Sequence, residues 1–100
     1  MDITVQQLKE KMDSAASFTL IDVREAWEHD EFNVGGELIP LGELMNKIPE
    51  IAHKKADEVV VYCRSGNRSG MAQQLLQSAG FSNVRNLIGG MVHWQDVYKK

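Results

Sequence analysis

The chain has 100 residues, 43% of them hydrophobic and 25% charged, the balance of an ordinary globular protein with about one domain's worth of chain. Its formal net charge of −3 argues against nucleic acid or an anionic membrane as partner, and no apolar run approaches the roughly 20 residues that span a bilayer. One cysteine excludes an internal disulfide and a four-cysteine zinc site.

In chain order, Ile3 to Val5 reads as a short first strand, and Val5, Leu8 and Met12 follow helical spacing. Phe18 to Val23 is an apolar run of strand length, and Glu25 to Glu31 is a short polar helix around Trp27. Gly35-Gly36 breaks the chain before Glu37-Leu38-Ile39, a third strand closed by Pro40. Leu41, Leu44, Met45 and Ile48 repeat as in a helix that Pro49 is expected to end. Glu58 to Tyr62, with its three consecutive valines, is the strongest strand signal. Ser69 to Ala79 is the strongest helix signal, with Gly80 placed as a C-terminal cap. Val84 to Ile88 is a last strand, Gly89-Gly90 a turn, and Met91 to Tyr98 a closing helix. Continuous apolar strands separated by helices predict one α/β domain over residues 1–100, a five-stranded parallel sheet with helices on both faces.

In open α/β sheets the ligand crevice lies beyond the carboxyl ends of the strands. Three polar features fall on that edge: Asp22 to Glu25, Cys63 to Ser69, and Gly89-Gly90. The second carries the only cysteine, at the point where an apolar strand stops and a helix begins. A free thiol titrates near 8.5, and helix N-termini and neighbouring cations lower that value. Both are at hand here: unpaired N–H groups open the following helix, and Arg64 and Arg68 add two charges. Gly66 and Gly70 permit a sharp turn in which successive N–H groups point inward as an anion nest. A lone cysteine at a strand end is more often an inert buried residue. The conjunction of cysteine, glycine-containing loop, two arginines and immediate helix favours a nucleophile with its own electrostatic cradle.

The segment Cys63-Arg64-Ser65-Gly66-Asn67-Arg68-Ser69 resembles the active-site loop of the rhodanese (thiosulfate sulfurtransferase) superfamily in its single-domain form. Ile21-Asp22-Val23-Arg24-Glu25-Ala26-Trp27-Glu28 is similar to the family's aspartate-valine-arginine motif, and Leu87 to Trp94 to its closing glycine-glycine and tryptophan motif. Between them the chain departs from the family's usual glycine-histidine-isoleucine pattern, with Asn33 and Glu37-Leu38 in place of the common polar residues, while Ile39-Pro40 is kept. The resemblance implies a sulfurtransferase in which Cys63 cycles through a persulfide, with no metal and no organic cofactor. Arg64, Ser65, Gly66, Asn67, Arg68 and Ser69 would bind the donor, and Asp22 and Arg24 would support the loop. The implied donors are small and anionic (thiosulfate, a persulfide or a polysulfide). The implied acceptor is a thiol such as glutathione or a thioredoxin-like protein, with cyanide as its substitute in an assay.

Two rivals share the fold and the thiolate. A cysteine phosphatase or arsenate reductase would enclose a tetrahedral oxyanion in a wider ring, with a longer spacing than the four residues between Cys63 and Arg68. A persulfide carrier or interaction module would hand its sulfur to one partner protein. His29, His53 and His93 lack metal-ligand spacing and read as surface or packing residues. Trp27, Trp94 and the five methionines read as core filler, and Lys54-Lys55 and Lys99-Lys100 as solvated pairs. The N-terminus lacks the basic and apolar regions of a secretory leader, so a cytoplasmic location is expected; a periplasmic chain already freed of its leader would read the same.

Overall fold

The structure, a computed structural model, describes residues 1–98; the Lys99-Lys100 pair lies outside them. Four parallel strands, β1 (Thr19–Asp22), β2 (Glu37–Leu38), β3 (Glu58–Tyr62) and β4 (Asn83–Asn86), form one sheet in the order β2-β1-β3-β4. The helices are α1 (Val5–Asp13), α2 (Ala26–Glu31), α3 (Leu41–Lys47), α4 (Asn67–Ser78) and α5 (Gly90–Tyr98), with a 3₁₀ helix over Ile48–Lys54. No helix among the described residues is long and apolar enough to cross a membrane.

The expected fifth strand is reduced to one parallel bridge, between Ile3 and Leu87. The reason is local. Thr4 is the N-cap of α1: its hydroxyl accepts from Gln7 N at 3.1 Å, and the Gln7 side chain accepts from Thr4 N at 2.9 Å. A residue committed to a capping box cannot continue a strand, so the extended segment ends after Ile3. The predicted stop at Pro49 is likewise a change of helix type. Proline is tolerated in a first helical turn, where its missing N–H would have had no partner, and the chain tightens there into the 3₁₀ helix.

The three valines of β3 are buried on both sides, as a sheet covered on both faces requires. Val59, Val61 and Cys63 point into one core with Leu44, Ala72 and Leu76 of α3 and α4. Val60 and Tyr62 point into the other, with Val5, Leu8, Met91 and Trp94 of α1 and α5. This two-residue alternation aims Cys63 at the α4 side. α4 ends as Gly80 anticipated: Gly80 N donates to Gln77 O and Phe81 N to Leu76 O, both at 3.0 Å, the Schellman pattern.

Several core expectations are corrected. Trp94 and Met91 are buried, but Trp27 is 66% exposed, and Met1, Met45 and Met71 are exposed as well. Trp27 sits on a one-and-a-half-turn helix whose inward side is occupied by the charged group of Glu28, so the indole is left outside.

Candidate active site

Cys63 directly follows β3 and is 1% exposed. Its Sγ accepts from Gly66 N at 3.0 Å and from Ser69 N at 3.4 Å, and lies 3.3 Å from Ser69 Oγ. Gly66 makes this geometry possible: it is the N-cap of α4 with φ +106°, a conformation that L side chains rarely adopt. α4 thus starts at Asn67, two residues ahead of the predicted Ser69, and brings its first turn around the sulfur. Burial by itself would raise the thiol's pKa. The hydrogen bonds from the Ser69 hydroxyl and from the Ser69, Gly66 and Ser65 backbone outweigh it and hold the thiol below its ordinary value.

The loop is tied from beneath by α5. Met91 N donates to Cys63 O and Val92 N to Arg64 O, each at 2.9 Å. Gly90 lets the two backbones meet: a Cβ there would stand 2.5 Å from Cys63 O and 2.6 Å from Arg64 O. The closing glycine pair is therefore a support for the cysteine loop and not only a turn.

Arg68 makes a bidentate pair with Glu28, Nη1 to Oε1 at 2.7 Å and Nη2 to Oε2 at 2.8 Å. Glu28 Oε1 also accepts from Glu25 N at 3.0 Å. The Arg68 hydrogen bonds hold the Glu28 carboxyl at about 2, against the opposing effect of burial. Asp22 and Arg24 pair with each other, Arg24 Nε and Nη2 donating to the carboxylate at 2.8–3.1 Å. Arg24 Nη2 also donates to Phe32 O at 2.6 Å, and its guanidinium lies 5.5 Å from the Tyr62 ring centre. Burial works to raise the Asp22 pKa, but hydrogen bonds from Arg24 and His29 bring it below the usual range. Neither Asp22 nor Arg24 hydrogen-bonds to the cysteine loop among the described residues; they brace the segment from β1 to α2 that delivers Glu28 to Arg68.

The rhodanese-like domain family matches residues 4–97. The chain belongs to that family. Among its relatives, a putative sulfur carrier protein of Bacillus subtilis, YrkF, is 36% identical over 93% of this chain and 50% of its own. The thiosulfate sulfurtransferase PspE of Escherichia coli is 37% identical over 69% of this chain and 67% of its own. The human single-domain sulfurtransferase TSTD1 superposes with a TM-score of 0.83 at 27% identity, covering 95% of both chains. Several curated relatives are longer proteins of which this chain spans half or less.

In this rhodanese-like domain the loop borders a cleft of about 250 Å³ whose walls include Arg24, Trp27, Glu28, Glu31, Arg64 and Val92. Arg64 is exposed, and among the described residues its guanidinium has no acidic partner. Sequence reasoning missed three residues of the site. His29, read as a surface or packing residue, donates through Nδ1 to Asp22 at 2.8 Å, the ionised carboxylate being an acceptor only. Glu28 lies within the aspartate-valine-arginine segment, but nothing in the sequence pairs it with Arg68 forty residues later. Asn86, at the end of β4, accepts from Ser69 Oγ at 2.5 Å and donates to Gly66 O at 3.1 Å. No local pattern links Asn86 to a loop seventeen residues earlier.

Proposed function

We propose that the protein is a sulfurtransferase that takes a sulfane sulfur onto Cys63 and passes it to a thiol. The observation that carries this reading is the cradle on Sγ: Gly66 N–H, Ser69 N–H and the Ser69 hydroxyl at 3.0–3.4 Å, at the positive end of α4. In the first step the Cys63 thiolate attacks the outer sulfur of thiosulfate. The donor's S–S bond breaks, sulfite leaves with the electron pair, and the negative charge stays on the outer sulfur of the new persulfide. In the second step an acceptor thiolate attacks that outer sulfur, and Cys63 leaves as thiolate. The loop N–H groups stabilise the charge in each state. A persulfide or polysulfide serves as donor by the same chemistry, and glutathione or a thioredoxin-like protein thiol as acceptor.

Arg64 is the residue suited to an anionic donor. Arg24 and Arg68 are already neutralised by Asp22 and Glu28, so among the described residues Arg64 supplies the cleft's unpaired positive charge, in a lining that also includes the Glu31 carboxylate. Arg68, expected to bind the donor, is assigned instead to holding the loop against α2.

Mass measurement after thiosulfate treatment is the test. The wild type gains one sulfur atom and Cys63→Ser gains none, because a hydroxyl cannot carry a persulfide. An unmodified, folded wild type would overturn the mechanism. Poor turnover with every small thiol, joined to rapid transfer to one protein thiol, would identify the chain as a partnered carrier.

A further inference from the structure

The Ser69 hydroxyl has one proton and two acceptors within reach, Cys63 Sγ at 3.3 Å and Asn86 Oδ1 at 2.5 Å. It cannot serve both at once. The orientation of the Asn86 amide follows from its other partner. Gly66 O, 3.1 Å away, is an acceptor only, so the NH₂ must face it and the carbonyl oxygen must face Ser69. Asn86 itself is placed by β4 and by Asp2, whose carboxylate accepts from Asn86 N at 3.1 Å. One amide thus grips two of the residues whose groups line the sulfur, Gly66 and Ser69. Ser69 is fully buried, so no bulk water competes for its proton.

We propose that Asn86 is a positioning residue that claims the Ser69 proton and so biases Cys63 away from the free thiolate, toward the thiol and the persulfide. In the thiol state S–H donates to Ser69 Oγ while the hydroxyl donates to Asn86, and every group is satisfied. Loss of the thiol proton to solvent forces a choice. The hydroxyl turns to the thiolate and Asn86 Oδ1 loses its donor, an unmade bond that opposes ionisation. When a sulfur is added, the charge moves to the outer sulfur, Sγ becomes a weak acceptor, and the hydroxyl returns to Asn86. The residue thereby favours the loaded enzyme over the unloaded thiolate. This rests on the persulfide reading above, but its test does not.

The test is titration of Cys63 by thiolate absorbance and by the pH dependence of alkylation, with folding of each variant confirmed by circular dichroism. Among the described residues the other titratable or charged groups around the loop and Asn86 are Arg64 and Arg68 within the loop, Asp2 on Asn86 N, Glu25, Glu28 and Glu31 at α2, Asp22 with Arg24 and His29, and His93 and Asp96 on α5. All of them are unchanged in the comparison. Asn86→Leu frees the hydroxyl for sulfur and lowers the midpoint by about one unit. Ser69→Ala raises it, and adding Asn86→Leu to Ser69→Ala no longer lowers it, leaving at most a further rise from the lost contact to Gly66 O. A midpoint that rises in Asn86→Leu, or a fall on removing Asn86 that persists without the Ser69 hydroxyl, would overturn the proposal. The wild type gives a second readout that needs no Asn86 variant: below the midpoint, its infrared S–H stretch is that of a hydrogen-bond donor and reverts to a free thiol in Ser69→Ala. A free-thiol stretch in the wild type would equally overturn it. Failure of the sulfur-transfer reading would appear separately, as no mass gain with thiosulfate.

Discussion

Among the described residues, the Cys63 thiol is held below its ordinary pKa by hydrogen-bond donors. Its Sγ faces two backbone N–H groups and a hydroxyl, and burial keeps water from sharing them. The arginines divide the remaining work by what each one touches. Arg64→Ala is expected to lower kcat/KM for thiosulfate by about 10- to 100-fold, the worth of one charge-assisted hydrogen bond, and to lower it less for persulfide donors that carry less charge. Arg68→Ala strands the mostly buried Glu28 carboxylate, and is expected to depress every donor equally and to lower the unfolding midpoint. Steady-state kinetics across donors of higher and lower charge checks both; a selective loss of thiosulfate in Arg68→Ala would reverse the assignment. That Cys63 and Ser69 share one turn was legible because strand end, loop and helix start are consecutive in the chain; that Ser69, expected to bind the donor, is fully buried against Sγ was not. The role of Glu28 was not, because its partner lies forty residues away.

At the scale of elements, the site is a junction of three segment ends. β3 presents the cysteine, α4 begins around its sulfur, and α5 begins under its carbonyl. α5 enters through Gly90, whose φ of +58° and lack of Cβ leave room for the Cys63 and Arg64 backbone. Gly90→Ala is expected to destabilise the fold by about 2–5 kcal/mol, combining left-handed backbone strain with overpacking. It should also raise the midpoint for Cys63 ionisation, since the cradle shifts with the loop. Denaturant unfolding and thiolate titration measure the two effects; a variant as stable as the wild type would refute the close approach. The predicted start of α4 at Ser69 falls two residues late because Asn67 and Arg68 look like loop in sequence, whereas the left-handed Gly66 places the helix start directly after itself. The first strand was overread because a capping threonine and a strand threonine are the same residue type, told apart here by Gln7.

At the scale of the molecule, carboxylates hold segments together across the sheet edge. Glu58 joins Lys11 of α1 to Arg85 of β4 at 2.8 and 2.6 Å, and Asp22 and Glu28 join β1, α2 and α4. All three titrate below their ordinary values: Glu28 through Arg68, and Asp22 and Glu58 because their hydrogen bonds overcome burial. A carboxyl whose folded pKa is depressed contributes stability above its unfolded value, near 4, and loses it as pH falls through the folded value. Stability should therefore decline below about pH 4, with Glu28's share fading toward about 2. Glu28→Gln is expected to cost on the order of 1–2 kcal/mol at neutral pH, between the limits for exposed and buried pairs, and to flatten the acid limb. Urea midpoints across a pH series test this, and an acid limb of unchanged slope would reject it. On the alkaline side burial raises the Tyr62 phenol, so ionisation above about pH 10 favours the unfolded chain.

The alternation of apolar strands with amphipathic segments determined a parallel α/β domain, and the order strand, cysteine, glycine loop and helix determined where a nucleophile would sit. Both are written in near neighbours along the chain, where backbone geometry and side-chain period act directly. The tertiary structure alone decided which charges remain available and which partner the Ser69 proton serves. Arg24 and Arg68 are absorbed by Asp22 and Glu28, Arg64 is left open to the cleft, and Asn86 reaches the cradle from β4. These depend on pairings between distant segments, which hydrogen-bond geometry and burial select only once the sheet has brought the strand ends together.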